Sequence, residues 1–187
     1  IHVGEKDAGY ARNSKARDWK ARLLELKKND ADGYTHFVKL HAGKGHWMNR
    51  QDAEAIGWMA RFRRDRTPKR IVWKQDNVVH DRFYWLATSP GEVKPRGAII
   101  ASRDGQKIHI EQADANRVTV LLNDELVDLD KEIVILSGQK ELFRGVVART
   151  IRTLAETIRD RGGLSIAFSA RHEIAIPKPA KAASSSP

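Results

Sequence analysis

The feature that most constrains this chain is a change in its hydrophobic periodicity close to residue 66. Before that point, apolar residues recur at spacings of three and four, which is typical of amphipathic helices. After it, short apolar runs alternate with turn-forming pairs such as Asp104-Gly105, which is typical of a β-sandwich. The sequence therefore predicts two domains, over residues 1–66 and 67–176, and a disordered tail over residues 177–187.

The first domain is predicted to alternate between strand and helix. Strands are expected at Ile1–Val3 and His36–Leu40, and helices at residues 10–29 and 50–62. The apolar face predicted for the first helix consists of Ala16, Trp19, Leu23 and Leu26. The buried stripe predicted for the second helix consists of Ala55, Ile56, Met59 and Phe62.

The second domain is predicted to be all-β and sandwich-like, with one helix. Its predicted strands are Arg70–Trp73, Arg82–Ala87, Gly97–Ser102, Lys107–Glu111, Arg117–Leu122, Ile133–Leu136 and Glu141–Val146, with a last one inside Leu164–Ile176. The helix is expected at residues 149–161. Its predicted inner face consists of Ile151, Leu154, Ala155 and Ile158.

Composition excludes several classes of protein. The 187 residues are 41% hydrophobic, which suffices for a core, and no apolar run approaches the roughly 18–20 residues of a membrane-spanning helix. The chain has no cysteine, which excludes disulfides, thiolate metal sites and a cysteine nucleophile. Its net charge is +10, and residues 1–69 contribute 16 basic and 9 acidic side chains. Because basic and acidic residues are interspersed, we interpret the excess as a solvated face and expect no nucleic-acid partner.

Two loops of the first domain carry the residues with catalytic potential. The sequence Val-Gly-Glu-Lys-Asp at residues 3–7 leads out of the first predicted strand, and Lys-Leu-His-Ala-Gly-Lys-Gly-His-Trp at residues 39–47 leads out of the second. Because the loops that follow parallel strands meet at one edge of a sheet, Asp7 and His46 are expected to be adjacent in space although they are far apart in sequence. A histidine can take the proton of a serine nucleophile, and a carboxylate fixes the tautomer of that histidine.

This arrangement resembles the C-terminal end of the α/β-hydrolase fold, over residues 1–62. In that family, the acid of the catalytic triad follows the penultimate strand and the histidine follows the last strand, and Asp7 and His46 match those two positions. The resemblance implies that residues 1–66 are the C-terminal segment of an incomplete α/β-hydrolase sheet. Glu5 is a second candidate for the acid on the same loop, whereas His41 lacks the Gly-His-Trp context and is interpreted as structural.

The resemblance also implies a nucleophile that this sequence does not provide. The family's Gly-x-Ser-x-Gly elbow joins a strand to a helix and precedes the acid, but no such motif precedes Asp7. The nearest match, Gly-Leu-Ser-Ile-Ala at residues 163–167, follows a predicted helix and enters a strand, so we reject it. We therefore expect the C-terminal portion of an esterase-like or peptidase-like serine hydrolase that depends on an upstream hydrolase core. The chain alone would be inactive, and the reaction, cleavage of a small-molecule or polymer ester or amide, needs no metal or organic cofactor.

The β-rich domain supports an alternative function of another class, a binding module for carbohydrate, polymer or a protein partner. Its apolar segment at residues 83–86 could supply aromatic contacts for such a partner, although we expect its aromatic side chains to pack against the hydrolase domain. The preceding polar segment at residues 76–82 contains two aspartates and His80, which invites a metal site, but a loop between strands is the simpler interpretation. Hydrogen-bond contact between Asp7 and His46 would favour the hydrolase over the binding module.

Overall fold

The computed structural model describes residues 1–177 of the chain, and the predicted disordered tail lies, apart from Pro177, outside the described residues. The chain divides into two compact units, with the boundary between Arg64 and Asp65. Most of the regular structure is β, distributed over three sheets, and three α-helices lie within residues 1–177. No helix in this part of the chain combines the length and the apolar character that crossing a bilayer requires.

The smaller unit is a two-stranded parallel sheet with a helical crossover. Its elements are β1 (His2–Gly4), α1 (Arg12–Lys28), β2 (Lys39–His41) and α2 (Glu54–Met59), with short 3-10 turns at Gly9–Ala11 and Gln51–Ala53. Strands β1 and β2 pair in register from His2 opposite Lys39 to Gly4 opposite His41. Parallel neighbours need a long crossover, which α1 provides here.

The core of the smaller unit is small, and the predicted helix faces are only partly buried. Its buried apolar residues are Val3, Ala16 and Val38, with Leu23 and Leu40 packed against them. Trp19 on α1 is 55% exposed, contrary to the prediction that it faces the core. The predicted stripe of α2 is wrong as well, because Ile56 and Met59 are exposed. A sheet of two strands offers too little surface to cover two helices.

The larger unit is β-rich, as the sequence predicts. Its strands are β3 (Arg70–Lys74), β4 (Arg82–Phe83), β5 (Leu86–Ala87), β6 (Ala98–Asp104), β7 (Lys107–Ala113), β8 (Arg117–Leu122), β9 (Ile133–Ser137), β10 (Lys140–Gly145) and β11 (Ala170–Ala175), and its helix is α3 (Ile151–Arg161). One sheet has the order β10-β9-β7-β6-β3 and the other β11-β8-β5-β4. All neighbours are antiparallel except β7 and β9.

One hydrophobic core joins the two sheets of the larger unit. Ile99 and Ile108 reach it from the five-stranded sheet, and Val118 and Val120 from the four-stranded sheet. Each of these side chains is at most 1% exposed. The single strand predicted over residues 82–87 is instead a tight hairpin, β4 and β5, which turns where Tyr84 adopts a positive φ of 52°.

Helix α3 faces the core with threonines rather than with the predicted apolar stripe. Ile151 is 87% exposed, whereas Thr153 and Thr157 are buried. The Thr157 hydroxyl donates to the Phe168 carbonyl at 2.9 Å and accepts from the Phe168 N–H at 3.0 Å. A buried hydroxyl is tolerated when its hydrogen bonds are made, so these bonds allow the helix to turn its threonines inward.

Candidate active site

The two loops that carry Asp7 and His46 leave the same edge of the small sheet. Because β1 and β2 are parallel, both loops begin at the carboxyl ends of their strands. Backbone hydrogen bonds tie the loops together, from the Glu5 N–H to the His41 carbonyl at 3.0 Å and from the Lys6 N–H to the Lys44 carbonyl at 2.8 Å. These contacts set the backbone that places Asp7 beside the histidine loop.

Asp7 and His46 are in hydrogen-bond contact. Nδ1 of His46 lies 3.0 Å from Oδ2 of Asp7, across 39 positions of sequence. The residue Asp7 is 6% exposed, and its own N–H donates to the Gly4 carbonyl at 3.0 Å. Since an ionised carboxylate only accepts hydrogen bonds, this contact requires the proton of the imidazole on Nδ1. In the neutral ring the lone pair is then on Nε2, and this is the tautomer that a general base needs.

Arg12 is a third member of this site that the sequence analysis did not identify. Its Nε–H donates to Oδ2 of Asp7 at 2.9 Å, so Arg12 and His46 share one carboxylate oxygen. The hydrogen bonds from Arg12 and His46 lower the pKa of Asp7 to about 2. The acid therefore stays ionised at neutral pH. The sequence feature that could have identified Arg12 is its position near the start of the predicted helix that follows the Asp7 loop.

The other ring nitrogen of His46, Nε2, belongs to a half-exposed side chain. The side chain is 55% exposed, and no hydrogen bond among residues 1–177 engages Nε2. The ring of Trp47 meets the His46 ring edge to face, with 5.1 Å between the ring centroids. Trp47 is 84% exposed, so it lies beside the imidazole rather than in a core.

Glu5, the alternative acid, has a different partner. Its Oε2 accepts a hydrogen bond from the Gly43 N–H at 2.9 Å, which holds the histidine loop by its backbone. His41, interpreted as structural, is 3% exposed at the end of β2, and its Nε2 lies 3.1 Å from Nδ1 of His2. Of the two acids, the structure thus brings Asp7 into contact with His46.

Neither Ser14 nor the motif at residues 163–167 has the setting of a nucleophile elbow. Ser14 is the serine of the smaller unit, and its hydroxyl donates to the Ala11 carbonyl at 3.0 Å at the start of α1. The motif at residues 163–167 contains the 3-10 turn Leu164–Ile166, which follows α3 and precedes β11. That order is helix to strand, the reverse of a nucleophile elbow.

The polar segment at residues 76–82 forms a braced loop. The side chain of Gln75 donates to the His80 carbonyl at 2.8 Å and accepts from the His80 N–H at 3.0 Å. Arginines pair with both aspartates of the segment, Arg96 with Asp76 and Arg82 with Asp81. Within residues 1–177, these side chains do not come together as a set of metal ligands.

The aromatic residues on either side of this loop are buried to different degrees in the larger unit. Trp85 is fully buried, and its indole N–H donates to the Pro68 carbonyl at 2.9 Å. Trp73 is 4% exposed and stacks on Phe83, with 6.1 Å between the centroids. Phe83 itself is 39% exposed. Within residues 83–86, Trp85 and Leu86 therefore belong to the core, whereas the ring of Phe83 keeps an exposed part.

Comparison of the chain with protein-family models, with curated proteins and with solved structures finds no match.

Proposed function

We propose that Asp7 and His46 are the acid and the base of a Ser-His-Asp hydrolase. The chain would be the C-terminal portion of an α/β-hydrolase that cleaves an ester or an amide, joined to the β-rich unit. The observation that carries the proposal is the 3.0 Å contact between Nδ1 of His46 and Oδ2 of Asp7, made by loops that follow adjacent parallel strands. This is the geometry in which a carboxylate orients an imidazole for catalysis.

Each residue has a defined part in the proposed reaction. Nε2 of His46 takes the proton of the serine hydroxyl as the serine attacks the carbonyl carbon, and later returns it to the leaving group. Asp7 holds the other ring nitrogen and stabilises the imidazolium that forms. Because its pKa is lowered to about 2, Asp7 remains a carboxylate and does not take the proton itself. Arg12 acts as a positioning residue, since its Nε–H donates to Oδ2 of Asp7, the same oxygen that contacts His46.

The nucleophile and the oxyanion hole would come from polypeptide outside these 187 residues. The support for this part is the absence of a Gly-x-Ser-x-Gly sequence ahead of Asp7, together with the engagement of Ser14 in a helix. The His46 side chain is 55% exposed, and Nε2 has no hydrogen-bond partner among residues 1–177, so this nitrogen could meet a serine hydroxyl. Pockets for the acyl and leaving groups would be built largely by the same outside segments.

A serine-directed fluorophosphonate probe tests the proposal. The 187-residue chain alone should not be labelled, whereas a protein in which it is joined to its upstream segment should be labelled at one serine. His46→Ala in that longer protein should abolish the labelling, and His36→Ala should leave it intact. Labelling of the chain alone, or labelling that survives His46→Ala, would contradict the proposal.

A further inference from the structure

A second cluster of chemically active side chains lies in the smaller unit, apart from the Asp7–His46 pair. It consists of His2 on β1, His41 at the end of β2 and Glu54, the first residue of α2. Nδ1 of His2 lies 3.1 Å from Nε2 of His41, and these atoms lie 3.7 and 4.0 Å from Oε1 of Glu54. We propose that these three atoms form a binding site for a divalent transition-metal ion of the Zn²⁺ type.

The spacing of the donor atoms fits a metal ion. Zinc binds imidazole nitrogen at about 2.0–2.1 Å, so an ion bound to two nitrogens 3.1 Å apart makes an N–metal–N angle of roughly 100°. In a tetrahedral site, neighbouring donor atoms lie about 3.3 Å apart. Glu54 must therefore move inward by a few tenths of an ångström, and its side chain, 37% exposed, is free to do so.

The two buried imidazoles face each other through ring nitrogens, Nδ1 of His2 and Nε2 of His41. A neutral pair can share one proton between these two atoms, whereas a metal ion would bind both of them at once. The side chains of His2 and His41 are only 8% and 2% exposed. Burial lowers the pKa of His2, which favours the neutral ring, the form that a metal ion binds.

The chemistry of the three donors selects the kind of ion. Two imidazoles and one carboxylate suit zinc and its neighbours in the first transition row, whereas magnesium and calcium prefer oxygen ligands alone. The carboxylate opens the cluster to solvent, which gives the ion an entry path and leaves a fourth position for water. The ion would join β1, β2 and the start of α2, which are otherwise held by a small core.

A lysine now occupies the place beside the carboxylate. Nζ of Lys39 lies 2.7 Å from Oε1 of Glu54, so a cation is already attracted to this point. The Lys39 side chain is 45% exposed and can move into water when an ion enters. Lys39 and the metal thus compete for one oxygen, and removing the ammonium should strengthen metal binding.

Calorimetric titration of the full chain with zinc chloride at neutral pH tests the proposal. One equivalent should bind, and His41→Gln and Glu54→Gln should each weaken the affinity on the order of tenfold or more. Lys39→Met should tighten it. The exposed histidine variant His80→Gln is the matched control and should bind like the unmodified chain. If His41→Gln fails to fold, Glu54→Gln at the half-exposed position decides the question alone.

The variants also separate this site from a chelate of the terminal amine. The amino group of Ile1 and the ring of His2 could together bind a metal, and such a chelate would survive His41→Gln and Glu54→Gln. Unchanged affinity in both variants would therefore overturn the proposal, as would the lack of binding by the unmodified chain or equal affinity in Lys39→Met. Cobalt(II) offers a second readout, because the visible absorption of a tetrahedral site should be lost in Glu54→Gln.

Discussion

Gly4 lies so close to Gly45 that a methyl group on Gly4 would overlap the Gly45 carbonyl oxygen. The end of β1 therefore touches the backbone of the loop that carries His46. A side chain at position 4 would also stand 2.5 Å from the Lys44 carbonyl oxygen, so the loop could not avoid it by a small adjustment. Glycine at this position is what allows the histidine loop to lie against the strand.

Gly4→Ala should displace the loop and break the contact between His46 and Asp7. The added methyl group should lower the free energy of unfolding by about 1–3 kcal/mol, the usual cost of overpacking. NMR should show the loss of the downfield Nδ1 proton of His46, and chemical denaturation should show the loss of stability. Gly45→Ala is the control, because a methyl group there meets nothing within 4 Å. Equal effects of the two substitutions would show that the close approach is unimportant.

His46→Ala and Asp7→Asn should both impair hydrolysis in a protein that combines this chain with the catalytic serine. Loss of the base should lower turnover of an activated ester on the order of 10³-fold or more. Asp7→Asn should also cost heavily, because the imidazole loses the group that fixes its tautomer. His36→Ala is a control on another histidine of the same unit. Circular dichroism must show that each variant folds, and near-normal turnover in folded His46→Ala would exclude it as the base.

Acid should remove a stabilising contribution of Asp7. Its pKa is lowered from 3.8 to about 2, chiefly by the hydrogen bond from Arg12, so the folded state holds the carboxylate more strongly than the unfolded state does. The resulting stabilisation is present above pH 4 and declines as the pH falls towards 2. Asp7→Asn should therefore be less stable than the unmodified chain at pH 6, and the difference should shrink below pH 4.

Urea denaturation at a series of pH values measures this effect. Asp18→Asn, on the exposed side of α1, is the control and should follow the unmodified chain across the series. A stability difference for Asp7→Asn that stays constant from pH 6 to pH 2.5 would contradict the assigned cause. Arg12→Met should reproduce part of the loss, since it removes the first donor to Oδ2.

Thr157→Val should destabilise the larger unit although the two side chains have nearly the same shape. Valine leaves the buried N–H and carbonyl of Phe168 without the partner that the hydroxyl supplies. The expected cost is about 1–3 kcal/mol in the free energy of unfolding. Ile151→Ser, on the exposed side of the same helix, should change stability by less than about 0.5 kcal/mol. Thermal or urea denaturation compares the two variants, and a neutral Thr157→Val would refute the role of the hydroxyl.

Hydrophobic periodicity predicted where the helices and strands lie better than it predicted which of their side chains are buried. The region of short strands after residue 66 is predictable because apolar residues such as Val118 and Val120 alternate with residues that face outward. The inner face of α3 is not predictable in this way, because a hydrophobicity pattern favours Ile151 and Leu154 over threonines as the buried residues. Only the position of Phe168, which becomes known with the fold, shows that the Thr157 hydroxyl has partners there.

The residues of the candidate active site could be predicted only where a loop contains a recognisable sequence motif. Gly-His-Trp after a strand points to His46, and the acidic loop after the preceding strand points to Asp7. The pairing of His2 with His41 has no such signal, because it depends on the register that places His2 opposite Lys39 and so two positions from His41. The role of Arg12 could not be predicted from the sequence either, since its contact with Asp7 depends on the backbone conformation between Asp7 and α1.

In the larger unit, the chain passes repeatedly from one sheet to the other, and this order of strands has a consequence for folding. After β3 the chain passes to β4 and β5 in the other sheet, returns for β6 and β7, leaves for β8, returns for β9 and β10, and ends in β11. Neither sheet is therefore made from a continuous stretch of chain, and each needs strands that are far apart in sequence. Distant segments must be brought together early, which slows folding and makes the unit gain or lose its structure as a whole.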